Sequence, residues 1–454
     1  MSHLHLIGAG GIGVSAIGRY YKSLGWTVSG SDGASSDVTQ DLEREGITIM
    51  IGHKAENLPE NTDLVVYSEA IITKPDLSKE EQLLANPELR RAKEKGIKHR
   101  SYPESLGDIA NPKYEIAVTG SHGKSTTTGF ISVMLANSSK GGSTIVGTKL
   151  SNFGGTNLRS DPASPYFAIE ACEYRRSFLH YTPEIAVITN IDLDHLDYYK
   201  DVEDYVSAFV SFVENTKTAV VLPANDANCK KLYERVSETK RTALKWYFVE
   251  QDSYTVDGKK YPIPKLTLKV PGDHLAFDAN LAYTVGQIIE MKQDEITSGL
   301  EAYSGAWRRS ELVGETENGN LVYSDYGHHP NEITPTLKAI KEANPDRFFI
   351  VIFQPHQYSR TRELLDEFAT CFSDADELIV PNIYFSRDKK EDVEWMTVDR
   401  LLDAIEPHNP NLTDGEGLEN TEGIILQLDE ENPGRLLFLL LGAGNVDSLR
   451  YNIL

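Results

Sequence analysis

The stretch Val118-Thr119-Gly120-Ser121-His122-Gly123-Lys124-Ser125-Thr126-Thr127-Thr128 follows the apolar Ile116-Ala117-Val118 and leads into a helix-like segment. A strand that feeds a glycine turn into a helix directs backbone N–H groups and the positive helix end at one spot, which suits phosphate oxygens. Gly120 and Gly123 let the backbone approach an anion, Lys124 adds a mobile charge, and the Ser125 hydroxyl is placed to hold Mg²⁺. Only Ser121 and His122 separate the two glycines, a shortened variant of the usual phosphate-loop spacing. The stretch predicts an ATP site built from Gly120, Ser121, His122, Gly123, Lys124, Ser125 and Thr126. The competing reading is a glycine turn that caps a helix carrying a lysine.

The same alternation continues on both sides. Before the loop, His5-Leu6-Ile7, Trp26-Thr27-Val28 and Asp63 to Tyr67 read as strands separated by helical segments, with a solvated helix from Lys79 to Lys95. After it come strands at Tyr166 to Ile169, Ile185 to Thr189, Ala219 to Leu222 and Leu266 to Val270. Leu321 to Ser324, Phe348 to Phe353, Glu377 to Val380 and Leu436 to Leu441 follow, with a surface loop expected from Glu406 to Glu422. At 454 residues the chain is long enough for three α/β domains, expected at 1–107, 108–306 and 307–454. The outer two read as Rossmann-like and the central one as a phosphate-loop ATPase-like parallel sheet.

A net charge of −23 argues against nonspecific binding to nucleic acid or an anionic membrane. The three cysteines, Cys172, Cys229 and Cys371, are too scattered for a disulfide framework and suit a reducing compartment. Met1-Ser2-His3-Leu4-His5 lacks the pattern of a signal peptide, and the apolar run Leu436 to Leu441 is too short to span a bilayer. A cytoplasmic protein is expected.

Further motifs stand where strands end. Gly8-Ala9-Gly10-Gly11-Ile12-Gly13 fits a diphosphate-binding turn, with Asp32 near the place of a ribose-binding acid. The turn suits a dinucleotide or a nucleotide-diphosphate sugar, and a dehydrogenase has no need of the second loop at Lys124. In the middle region, Glu170-Ala171-Cys172-Glu173-Tyr174-Arg175-Arg176 and Asn190-Ile191-Asp192-Leu193-Asp194-His195 follow successive strands and are expected to share a crevice with Lys124. Glu170 suits Mg²⁺, whereas a histidine at a strand end is more often structural. Cys172 has no neighbouring thiol or imidazole in sequence, which argues against a redox role. The last third carries Arg308-Arg309, Asp325-Tyr326-Gly327-His328-His329-Pro330 and Gln354-Pro355-His356-Gln357-Tyr358-Ser359-Arg360-Thr361-Arg362.

The order of these motifs resembles the Mur ligases over essentially the whole chain, from Gly8 to Gly442-Ala443-Gly444-Asn445. The most specific pieces are the Thr119 to Thr128 loop, Asp325 to Pro330 and Phe353-Gln354-Pro355-His356. The resemblance implies an ATP- and Mg²⁺-dependent ligase that joins L-alanine to the carboxylate of UDP-N-acetylmuramate through an acyl phosphate, in precursor synthesis for the cell wall. It assigns the first domain to the UDP-sugar, at Gly8, Gly10, Gly11, Gly13, Asp32 and Ser68, the second to ATP and the third to the amino acid. By the same resemblance Lys124, Glu170, His195, Arg309 and Asp325 are catalytic, and Arg309 and Asp325 face ATP. Ser125, Glu170 and His195 hold metal, while His329, His356 and Arg360 contact nucleotide or substrate. Two departures stand out: Leu275 and Asp278 replace asparagines at the adenine end, with Asn280 displaced by two positions, and Gln357 replaces an arginine. The alternatives are a ligase that joins a preformed tripeptide to the same sugar during wall recycling, and a nucleotide-regulated binding protein. Tyr326-Gly327 ahead of the histidines favours the L-alanine reading.

Overall fold

In the computed structural model, which describes residues 2–71, 78–195, 198–386 and 388–454, the chain forms two compact units. The first takes Met1–Thr267 with Asp278–Tyr303, and the second Leu268–Phe277 with Ser304–Leu454.

The first unit holds two sheets. Its five-stranded sheet runs Thr48–Ile51, Thr27–Asp32, His3–Ile7, Leu64–Tyr67, Lys98–Ser101, all parallel. The two central strands are buried along their whole length, as expected for strands covered on both faces. The nine-stranded sheet is parallel from Lys245–Val249 through Ala219–Pro223, Ile185–Ile188, Tyr114–Thr119 and Tyr166–Glu170 to Ser143–Leu150. Antiparallel strands extend both edges: Ser253–Val256 and Lys259–Pro262 on one side, Thr156–Arg159 on the other. The two sheets are tied together by the helix Ile12–Ser23, where the Arg19 guanidinium bonds Asn157 Oδ1 at 2.7 Å and the Tyr20 ring meets Phe167 at 5.8 Å. Lys149 adds an ion pair to Asp41 at 2.6 Å.

The second unit holds a six-stranded sheet in the order Glu311–Glu315, Leu321–Asp325, Leu436–Leu441, Phe348–Phe353, Glu377–Val380, Leu412–Asp414. Only the first edge strand is antiparallel. Leu436–Leu441 lies in the middle and is buried on both faces, which explains six consecutive apolar residues without alternation. The result is a three-domain α/β fold. Among the described residues no helix is long and apolar enough to cross a membrane.

Three segments differ from the sequence expectation. Leu266 to Val270 is irregular rather than a strand. It lies between Pro264 and Pro271, the Thr267 amide bonds the Glu301 carboxylate instead of a ladder partner, and the chain passes here from one unit to the other. The Lys79 to Lys95 helix is two helices, Lys79–Ala85 and Pro87–Glu94, because Asn86 ends one and caps the next ahead of a proline. It is not wholly solvated either: Glu88 is fully buried and accepts from His5, Ser31 and Asn57. The Glu406 to Glu422 stretch contributes the edge strand Leu412–Asp414 and the start of a helix at Leu418.

Glu115, near the start of the strand that leads to the Lys124 loop, is fully buried, and its carboxylate makes no hydrogen bond of good geometry among the described residues, the Thr182 amide acting on it only weakly. Burial pushes its pKa up to about 8, with the Lys217 ammonium opposing and Glu184 adding to the rise. The folded protein therefore keeps this proton over a range in which the unfolded chain has released it. The protonated side chain fits, and the stability associated with it is lost as pH rises from the ordinary carboxylate range through about 8. Glu115→Gln removes the titration, so its melting temperature should gain on the wild type with rising pH and level off above about 8. A gap between the two proteins that stays constant from pH 5 to pH 9 would show that Glu115 does not carry this dependence.

Candidate active site

The strand Tyr114–Thr119 lies between Tyr166–Glu170 and Ile185–Ile188, so the loops that leave the carboxyl ends of these three strands are neighbours. The first is Gly120 to Gly123. Gly120 has φ 135°, and a Cβ there would stand 2.1 Å from Thr189 Oγ1. Gly123 has φ 78° and precedes the helix Lys124–Ala136 without any side-chain cap, which leaves the first helical amides to other acceptors. The loop is stapled to the segment after Ile185–Ile188. Ser121 Oγ donates to the Asp192 carbonyl at 2.5 Å and accepts from its amide at 2.8 Å, and the Asn190 side chain bonds both the amide and the carbonyl of His122 at 3.0 Å. Ser121 and His122 thus shape the loop as much as they face it. Ser125 and Thr126 are buried in the first helical turn. Asp278 lies against Gly123, where a Cβ would come within 2.7 Å of its carboxylate.

Lys124 folds back over this loop. Its Nζ donates to the Gly120 and Ser121 carbonyls at 2.6 and 3.0 Å and stands 3.1 Å from Glu173 Oε2. Burial alone would lower the lysine pKa, but Glu173, Cys172 and Glu170 together outweigh it and the pKa is raised, so the ammonium is held. Burial likewise works to raise the Glu173 pKa, and Lys124 and His195 together pull it below the usual carboxylate range. His195 Nε2 lies 3.2 Å from Glu173 Oε1, and the Tyr199 hydroxyl donates to the Glu173 carbonyl at 2.5 Å.

Glu170 is the carboxylate expected at a metal, while Glu173 is the one that stands against Lys124 and His195. Glu170 is the last residue of its strand, and its Oε2 accepts from the Gly147 amide at 2.9 Å, on the side of Ser143–Leu150. The chain then turns, with the Ala171 amide bonded to the Val118 carbonyl at 2.8 Å, and Glu173 is carried back to Lys124 at the glycine loop. Cys172 sits between them with its thiol pushed up to about 12 by burial, an unreactive state.

The glycine turn after His3–Ile7 is closed by its own neighbours. The Gly8 and Ala9 amides bond the Ser31 carbonyl, and a Cβ on Gly8 would stand 2.7 Å from Ser68. Gly11 begins the helix Ile12–Ser23 without a side-chain cap. Asp32, expected at a ribose, accepts the Gly10 amide at 2.8 Å and so braces the turn. Tyr102, which sequence reasoning missed, packs on Gly13, where a Cβ would stand 2.5 Å from the ring.

In the second unit, Asp325 ends the strand Leu321–Asp325 and accepts from the Ser310 and Gly327 amides, both at 2.6 Å. Burial raises its pKa, and the Arg309 guanidinium opposes the rise. Arg309 lies over the Tyr326 ring at 5.3 Å, whereas Arg308 is buried and donates to the carbonyls of Gly442 and Gly444. His329 caps the helix Pro330–Ala343, accepting from the Asn331 amide at 3.3 Å. His356 stacks on Tyr384 at 5.3 Å, and Arg360 reaches the His356 carbonyl at 3.4 Å. Gln357 holds the left-handed φ of 76° at the start of the next helix and donates to the Ser386 carbonyl at 3.1 Å.

Three family models match successive parts of the chain: the Mur ligase family catalytic domain at residues 3–114, the Mur ligase middle domain at 118–282, and the Mur ligase glutamate ligase domain at 308–444. The chain is 38% identical over 461 residues to a UDP-N-acetylmuramate--L-alanine ligase of Acetivibrio thermocellus, covering 98% of this chain and 94% of that protein. It is 35% identical over 458 residues to the ligase of the same description from Clostridium botulinum, covering 98% and 95%. Among solved structures, UDP-N-acetylmuramate-alanine ligase MurC from Thermotoga maritima superposes with a TM-score of 0.78 at 25% identity, covering 100% of this chain and 98% of that one. A murein peptide ligase from Psychrobacter arcticus shares the fold, with a TM-score of 0.67 at 20% identity over 100% and 98%. With three successive domain matches and whole-length relatives above a third identical, the chain belongs to the Mur ligase family.

Proposed function

We propose that the protein joins L-alanine to the carboxylate of UDP-N-acetylmuramate at the expense of ATP. The observation that carries this reading is the Lys124, Glu173 and His195 cluster on an uncapped helix N-terminus. Whole-length relatives of that description support the choice of substrates. The recycling peptide ligase gains less support, since the murein peptide ligase superposes less well than the L-alanine enzyme. Free, largely buried cysteines suit the cytoplasm, where these substrates would be met.

A carboxylate resists attack by an amine. Its oxygen must first take the γ-phosphoryl group with loss of ADP. The amine then adds to the acyl carbon, phosphate leaves, and the nitrogen releases a proton. Such transfers depend on positioning and charge compensation. The helix amides after Gly123 and the Lys124 ammonium would offset charge on the transferring group, with Glu173 keeping Lys124 protonated and oriented. A hard divalent cation fits the donors present, because the buried Glu173 carboxylate meets the His195 imidazole beside Lys124, and Ser125, the next residue of the helix, would add a hydroxyl. When bound, that ion would neutralise phosphate charge. Glu170 remains close enough to act on Lys124 electrostatically and would orient the site from the Gly147 side. Arg309 and Asp325 serve the nucleotide in this reading, and His329, His356 and Arg360 the amino acid.

Phosphate release with UDP-N-acetylmuramate, ATP and Mg²⁺ tests the assignment against a panel of amino acids. Turnover that requires both the sugar nucleotide and L-alanine is expected, and ATP hydrolysis indifferent to the second substrate would sink it. Lys124→Ala should keep the circular dichroism of the wild type and lose roughly a hundredfold or more in turnover, since one positioned charge is worth several kcal/mol in the transition state. In a Mg²⁺ titration, Glu173→Gln should raise the half-saturating concentration more than Glu170→Gln does. The reverse order would return the metal to Glu170.

A further inference from the structure

The turn that delivers Glu173 also delivers an aromatic ring to the partner of that carboxylate. The Tyr174 ring lies against the His195 imidazole, with centroids 4.6 Å apart and planes at 42°. His195 occupies the left-handed backbone region at φ 57°, which non-glycine residues adopt only when their surroundings hold them there. Arg175 and Arg176 do the same at φ 51° and 58°. Their anchors are visible: Arg175 lies over the Tyr174 ring at 5.4 Å, and Arg176 pairs with Asp204 at 2.5 Å and lies 5.8 Å over Tyr199. Tyr198 meets the edge of Tyr174 at 6.2 Å, and Tyr199 holds the Glu173 carbonyl. Two strained segments therefore meet at the Glu173 to His195 contact, and the ring that joins them is Tyr174.

We propose that Tyr174 is a positioning residue for the ligation reaction, fixing the His195 imidazole so that Nε2 faces Glu173. The inference rests on the ligase reading above. The ring contacts His195, so Tyr174→Phe should preserve that contact and Tyr174→Ala should release the imidazole into other rotamers. A misplaced group of this kind costs on the order of ten- to a hundredfold in rate with little change in substrate binding.

The experiment compares wild type, Tyr174→Phe, Tyr174→Leu and Tyr174→Ala, with Leu covering the case in which Ala fails to fold. For each, kcat and the KM values for ATP, UDP-N-acetylmuramate and L-alanine are measured at one pH. In parallel, the His195 ring protons, assigned through a His195→Gln spectrum, are followed by NMR without nucleotide or metal. Expected are a kcat reduced about tenfold or more in the Ala and Leu variants with KM values within about twofold, near-normal kinetics for Phe, and His195 signals that lose their ring-current displacement only in Ala and Leu. Unmoved His195 signals in Ala and Leu would overturn the proposal, as would a Phe variant as impaired as Ala or a loss confined to KM. A wild-type protein inactive with these substrates would instead overturn the ligase reading, and the NMR comparison alone would then decide the role of Tyr174.

Discussion

A charge taken out of water must be paired where it is buried, and Lys124 with Glu173 is the pair around which the carboxyl edge of the middle sheet is arranged. Glu173 is fully buried, so leaving it alone would be costly, and Lys124 folds onto the carbonyls of its own loop to reach it. The position of either residue depends on the other. The loop keeps its shape because Asn190 and Ser121 tie it to the neighbouring strand end, and only glycines fit at 120 and 123 because Thr189 and Asp278 leave no room for side chains. Removing one partner would expose an unpaired charge in a water-poor site, which is why this contact dominates the local energetics.

On the ligase reading, the site also bears on how a negatively charged protein would serve anionic substrates. A net charge of −23 opposes any polyanion at long range, so affinity must come from a small preorganised set of donors. The uncapped amides after Gly123 and after Gly11 supply donors without adding formal charge. Both lie at the carboxyl ends of parallel strands, one on each sheet of the first unit, and Arg19, Asn157, Lys149 and Asp41 hold those two sheets together. The spacing between the two donor sets is therefore set by side-chain pairing rather than by chain length.

Much of this was legible in the residues. The strands through Ile7, Val118, Ile169, Ile188, Phe353 and Leu441 announce themselves as apolar runs, because strands covered on both faces need no alternation. The edge strands were not legible. Lys259–Pro262 is exposed throughout, and Leu412–Asp414 sits in an acidic stretch that reads as a loop, since edge strands are stabilised by one neighbour and need little apolar surface. Leu266 to Val270 shows the reverse error: its composition suits a strand, but prolines on either side and a side-chain partner for the Thr267 amide keep it out of any ladder.

The sequence by itself determined that a glycine turn leading into a helix stands at Gly120 to Ser125, that a second one stands at Gly8 to Gly13, and that both follow parallel strands of α/β sheets. These are local facts, written in the spacing of glycines, apolar runs and a lysine along one stretch of chain. Only the tertiary structure decided which of Glu170 and Glu173 reaches Lys124, that Asp32 braces a loop, that Tyr102 packs on Gly13, and that Tyr174 lies on His195. Each depends on how the chain turns after a strand and on what a neighbouring strand places opposite it. Residues three apart on a non-helical turn face different partners, and no periodicity in the sequence records which.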